Sequence, residues 1–251
     1  MIAEITHRDH HFRVDLSRPL DLSIPLHAGT PQLRAWWVGP VRMEPVEMNG
    51  IRYSVRDGAP VNFRNVSFNP HGHGTHTESV GHISEDVHAV GDLFTRYFFT
   101  ATLVTIDPQA RGEDHVVTAA QMQDALRVDR PEALVLRTLP NGNDKRVRDW
   151  SGSNAPYVEA AACAWLRTIG VLHFLLDLPS VDREEDGGAL AAHHAFWDHP
   201  ATTASAERRT ITELIHVPDA VPDGDYLLEL QVAHFTNDAA PSRPLLYTIL
   251  R

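Results

Sequence analysis

Along the chain, short stretches of alternating apolar and polar residues flank a middle part built of continuous apolar runs. LDLSIPL (20–26), GIRYSVRDG (50–58) and NFRNVSFNP (62–70) alternate and are bounded by Gly, Pro or Asn, which predicts strands. FFTATLVTID (98–107), EALVLRT (132–138) and VLHFLLDLPS (171–180) are runs of apolar residues, the pattern of buried strands. TELIHV (212–217), DYLLELQVAHF (225–235) and RPLLYTIL (243–250) add strands at the end. Helices are predicted after Thr118, which forms a capping-box pattern with Gln121, over 155–170 with Gly170 as the stop, and over 189–197. Strands and helices alternate in the middle and strands dominate both ends. That predicts an α/β fold with a mixed sheet or barrel-like core flanked by helices. No repeat, low-complexity tract or long linker interrupts it, so residues 1–251 read as a single domain.

Composition narrows the function classes. The net charge of −11 disfavours nucleic acid and anionic membrane surfaces as partners. No apolar run reaches the roughly 18 residues of a membrane span, and the polar N-terminus lacks a signal-peptide core. The chain therefore reads as cytoplasmic. Its single cysteine, Cys163, sits in an apolar helical pattern and reads as a small buried hydrophobe. Histidine is unusual, at 16 residues. His7, His10 and His11 fall in a polar terminus and read as a frayed end.

The chemistry concentrates in NPHGHGTHTESVGH (69–82). Imidazoles and a carboxylate are the ligand set of Zn²⁺ and Mn²⁺. His76 and Glu78 are two residues apart, so an extended backbone projects both to one side. His71 or His73 can join them from the preceding turn, which Gly72 and Gly74 allow to be tight. His82 is either another ligand or a base beside the ion.

HGHGTHTESVGH resembles the signature H-x-G-T-H-x-D-x-P-x-H of the cyclase family of metal-dependent hydrolases, which includes bacterial kynurenine formamidase and isatin hydrolase. Gly74, Thr75, His76 and His82 match it. Glu78 replaces Asp, Val80 replaces Pro, and Gly72 stands at the first histidine's position. DLSIPL…GTP (21–31), LLDLPSVD (175–182) with HHAFW (193–197), TELIHVPDAVPDGDYLLEL (212–230) and APSRPLLY (240–247) resemble further family segments in the same order.

The resemblance implies a swivelling β/β/α fold and a metal-dependent amidohydrolase of the kynurenine formamidase type, as in tryptophan catabolism. The implied ligands of one or two Zn or Mn ions are His71, His76, Glu78, His193 and Glu213, with His73 the rival of His71. His71 is preferred because Pro70 fixes its approach. His82 is implied as the general acid/base. A small-molecule substrate and a homo-oligomer, dimer or tetramer, are implied too. Weaker expectations place Asp177 behind a ligand, Trp36 and Trp37 at a substrate pocket or in packing, and Arg243 against a substrate carboxylate or an internal acid. A non-catalytic metal-binding protein and a metal-dependent lyase or cyclase are the alternatives.

Overall fold

The structure, a computed structural model, describes residues 1–7, 10–126, 131–200 and 208–250. Its frame is an 11-stranded mixed sheet. In chain order its strands are β1 (Ile2–His7), β2 (His10–Asp15), β3 (Leu20–Asp21), β4 (His76–Glu78), β5 (Phe98–Ile106) and β6 (Ala133–Thr138). They continue as β7 (His173–Leu176), β8 (Thr210–Glu213), β9 (Gly224–Glu229), β10 (Ala239–Pro241) and β11 (Leu245–Leu250). Across the sheet the order is β1-β2-β11-β9-β5-β6-β7-β8-β4-β10, with β3 also pairing β11.

The central β5, β6, β7 and β8 are mutually parallel. Parallel strands are covered on both faces, which is why their sequences are nearly all apolar. Val104, Leu134, Leu136, Phe174, Leu176 and Ile211 face one core, shared with residues of the helices α1 (Ala119–Ala125), α2 (Ala160–Thr168) and α3 (Ala191–Trp197). Ala101, Leu103, Val135 and Leu175 face the other, against Leu22, Tyr226, Leu228 and Leu246.

The capping box at Thr118 and Gln121 forms as the sequence predicts. Cys163 is fully buried in α2, and burial pushes its thiol up, which suits a packing residue. Several expectations change. The helix expected from 155 starts at Ala160, because Tyr157–Val158 pairs in parallel with Val116–Val117. The strand expected over 20–26 keeps only Leu20–Asp21 in the ladder; beyond it Ile24 N donates to the Thr75 hydroxyl at 2.8 Å. The stretch 50–58 is a strand only at Ile51–Arg52 before a 3₁₀ turn at Val55–Asp57.

The N-terminus is not frayed. β1 and β2 form an antiparallel hairpin, and Val14 of β2 pairs with Ile249 of β11. Ala3, Ile5 and Phe12 pack around Val14, Leu227 and Tyr247. A period-two apolar face was present, but interspersed histidines and charges masked it. His7 Nε2 comes to 3.1 Å from Glu132.

His173, in the interior of β7, lies against Phe94 and Phe99 and meets the Thr210 hydroxyl at 2.8 Å through Nδ1. Burial and the nearby Arg96 charge, only partly opposed by Glu132, lower its pKa from 6.5 to about 3. The folded value lies below the unfolded one, so between them the unfolded chain binds the extra proton. Stability from this residue is complete above pH 6.5 and drains away as pH falls toward 3. One proton corresponds to roughly 1.4 kcal/mol per pH unit. Urea unfolding of His173→Gln, followed from neutral to acid pH, is expected to show an acid limb shallower by about that slope; an unchanged limb refutes the assignment.

Candidate metal centre

The motif begins with a capped turn. Asn69 Oδ1 accepts from Gly72 N at 2.9 Å, and Asn69 N donates to His73 Nδ1 at 2.9 Å. His73 Nε2 then donates to the Gly39 carbonyl at 2.8 Å. Both nitrogens of His73 are thereby used in holding the loop. Gly72, at the first histidine's position in the signature, has no room for a side chain. A Cβ there would lie 2.7 Å from Val38 Cγ2 and 3.2 Å from the Ala35 carbonyl. The imidazole enters instead from His71. Gly74 turns the chain at φ +69, a left-handed conformation, and delivers it into β4.

β4 runs antiparallel between β8 and β10. His76 pairs with Glu213 and Pro241, and Glu78 with Ile211 and Ala239. Directly paired residues share a face, so His76, Glu78 and Glu213 all face the helix side, where Ile211 also points. Thr77 faces the other way and meets the Thr212 hydroxyl at 2.7 Å. Past β4, Ser79 caps a 3₁₀ turn over Val80–His82 by accepting from Gly81 N. Val80, where the signature has Pro, is buried. α3 brings His193 to the same place.

These side chains converge. Glu78 Oε2 is 3.1 Å from His71 Nδ1, and Glu78 Oε1 is 3.0 Å from His193 Nε2. Glu213 Oε2 is 3.4 Å from His76 Nε2, and Glu213 Oε1 is 4.0 Å from His193 Nε2. His82 Nε2 lies 3.9 Å from Glu78 Oε2. The donor atoms of His71, His76 and Glu78 all lie within 4.8 Å of one another, as do those of Glu78, His82 and His193.

Each histidine of this cluster that points one nitrogen inward anchors the other on an oxygen. His71 Nε2 donates to Asp238 at 2.8 Å, His193 Nδ1 to Asp182 at 2.6 Å, and His76 Nδ1 to the Gly74 carbonyl at 3.2 Å. Such acceptors fix ring orientation and tautomer, the arrangement found behind histidine ligands of metals. Asp182 also accepts from Ala192 N and His193 N, so it holds the start of α3 as well as the ring.

Electrostatics point the same way. Burial opposes protonation of His71 and His193, yet hydrogen bonds to Asp238 and Glu78 for the first, and to Asp182 and Glu78 for the second, raise each to about 10. Burial would raise the Glu78 carboxyl, but His82, His193 and His71 hold it well below the carboxylate range. Glu213 is raised, by burial and then by the Glu78 charge. Two buried carboxylates demand positive charge here. His76 Nε2 is buried and has no hydrogen-bond partner among the described residues. An inward lone pair beside carboxylate oxygens is what a cation between them would satisfy. The imidazole and carboxylate donors fit a divalent metal ion.

All the expected site residues, His71, His76, Glu78, His82, His193 and Glu213, meet at this point. Asp177 does not. Its carboxylate accepts from Lys145 Nζ at 2.8 Å and from the Thr138 amide and hydroxyl, a buried pair away from the histidines. Arg243 binds an internal acid, Asp21, at 2.8 Å. Trp36 packs on the helix-side core and Trp37 is exposed. His194 turns away to the His199 carbonyl. Sequence reasoning did not single out Asp182 or Asp238. Asp182 was within reach as the second acid of LLDLPSVD; Asp238 lies 167 residues from His71 and gave no local signal.

The profile of the Cyclase family matches residues 14–183. Kynurenine formamidase of Bacillus cytotoxicus is 28% identical over 236 residues, covering 93% of this chain and 96% of that protein. The enzyme of the same name from Bacillus cereus is 26% identical over 241 residues, covering 94% and 97%. An isatin hydrolase bound to the product analogue thioisatinate superposes with a TM-score of 0.66 at 14% identity, covering 92% of each chain. Isatin hydrolase A from Labrenzia aggregata gives 0.62 at 17% identity, covering 93% of this chain and 94% of that one. With the matched segment running from β2 through the motif to Asp182 and its continuation in a fold of the same kind, the chain belongs to the Cyclase family.

Proposed function

We propose that the chain is a metal-dependent hydrolase of a carbonyl–nitrogen bond in a small molecule, an N-formyl amide or a lactam. The observation that carries this reading is the inward convergence of three anchored imidazoles, His71, His76 and His193, on Glu78 and Glu213. In this reading those five residues hold the ion. Zinc and manganese both suit such a donor set.

Bound there, the cation supplies Lewis acidity, polarising a substrate carbonyl and lowering the pKa of water toward about 7. His82 stands on the open side, 31% exposed, with Nε2 inward. It takes the proton of the attacking water and gives it to the leaving nitrogen as the C–N bond breaks. Relatives named for formamide and isatin hydrolysis support this substrate class. Met48, Ile51, Phe63 and Val66, all within residues 48–66, are exposed apolar side chains that contact with a second copy would cover, which supports a homo-oligomer.

Dialysis against EDTA is expected to abolish hydrolysis of N-formyl aromatic amines or lactams, with Zn²⁺ or Mn²⁺ restoring it. Activity indifferent to EDTA, or no activity across such a panel, sinks the reading. His82→Ala is expected to retain bound metal while kcat falls by about 10²–10⁴. Undiminished turnover would remove His82 from the chemistry. The two candidates for first ligand separate cleanly: His71→Ala is expected to lose metal on gel filtration, and His73→Ala to keep metal at reduced thermal stability. The reverse result would exchange their roles.

A further inference from the structure

Asp238 lies in the turn before β10, and nothing in the site as described above needs it as a ligand. One of its oxygens, Oδ2, receives both His71 Nε2 at 2.8 Å and His82 Nδ1 at 3.3 Å. The two ring centroids lie 4.3 Å apart, with their planes tilted at 31°. In each ring the nitrogen not bound to Asp238 is the one nearest Glu78, at 3.1 Å for His71 and 3.9 Å for His82.

An acceptor on one imidazole nitrogen decides which nitrogen of the neutral ring carries the hydrogen. A carboxylate oxygen can only accept. Facing Asp238, His82 must carry its hydrogen on Nδ1, and the inward Nε2 is left as a lone pair able to take a proton. Among the described residues, Asp238 is the hydrogen-bond partner of His82 Nδ1, and no second one stands beside it. We propose that Asp238 is the positioning residue of the site: through one oxygen it sets the tautomer and orientation of His82 as base and of His71 as ligand together. The value of that lone pair rests on the hydrolase reading; the tautomer itself does not.

The side chain can be removed without dismantling the strand. The Asp238 main-chain carbonyl, not its carboxylate, accepts Ser79 N at 2.9 Å, and the β4–β10 ladder begins at Ala239. Asp238→Ala therefore tests position, and Asp238→Asn tests charge, because an amide oxygen can still accept from both rings.

The test is long-range ¹H–¹⁵N correlation of the histidine rings in the full chain, metal-free and zinc-loaded, at mildly alkaline pH, alongside kinetics and metal competition. The native protein is expected to show His82 with hydrogen on Nδ1. Asp238→Ala should lose that signature, drop kcat about 10–100-fold at little change in KM, and weaken zinc by a similar factor. Asp238→Asn should keep the signature and stay within several-fold of native kcat. An unchanged His82 tautomer in Asp238→Ala overturns the proposal. So does Asp238→Asn falling as far as Asp238→Ala with its tautomer intact, since charge rather than orientation would then be the requirement. The metal-free spectrum stands apart from turnover: a chain with the expected His82 tautomer and no hydrolase activity loses the proposed function and keeps the role of Asp238.

Discussion

The buried carboxylate of Glu78 is the constraint on which the rest turns. A carboxylate at 0% exposure in a protein interior costs far more than a hydrogen bond returns unless positive charge or strong donors surround it. Here His71 and His193 supply them from two sides, one from the glycine loop and one from a helix. β4 is only three residues long and lies between β8 and β10, so its face is fixed by ladders on both edges. A one-residue slip would turn His76 and Glu78 away and put Thr77 inward. The Thr77–Thr212 contact on the far face marks the register that prevents it.

The acceptors behind the imidazoles come from different kinds of structure, and this explains how a mixed fold can hold several rings at once. A main-chain carbonyl serves His76, a residue that also caps a helix serves His193, and an edge-strand turn serves His71. Asp182 shows the economy of the arrangement. The same carboxylate that binds the His193 ring takes two amides at the start of α3, so movement of the helix would carry the ring with it.

Legibility in the sequence followed the distance over which each interaction acts. The capping box, the apolar strands β5 to β7 and the spacing of His76 and Glu78 are local rules, and the structure obeys them. His193 and Glu213 were reachable through resemblance, because their segments keep family order. That His71 rather than His73 reaches Glu78 had only a local argument behind it. Its physical basis, Val38 and the Ala35 carbonyl closing over Gly72, involves residues more than thirty positions upstream. Asp238 was illegible for the same reason in a stronger form, because strand order alone brings it beside β4. The N-terminal hairpin was missed differently: its alternation was visible, but its histidines suggested a solvated end, and β11, which fixes it in place, lies at the other end of the chain.

The site is also asymmetric, and that asymmetry constrains the reaction. His76, Glu78, His193 and Glu213 are closed off, whereas His71, His82 and Asp238 are 21%, 31% and 25% exposed. Among the described residues of the cluster, that second group forms the solvent-facing side. Under the proposed mechanism the substrate's leaving nitrogen departs past His82, whose inward nitrogen stands farther from a carboxylate, 3.9 Å from Glu78, than those of His71, His76 and His193. Ligands sealed inside keep their geometry because packing holds them; a proton carrier must meet water to exchange its proton. With His82 and the Asp238 oxygen it faces at the solvent edge, and the buried imidazoles and carboxylates behind, the cluster satisfies both requirements in one direction of approach.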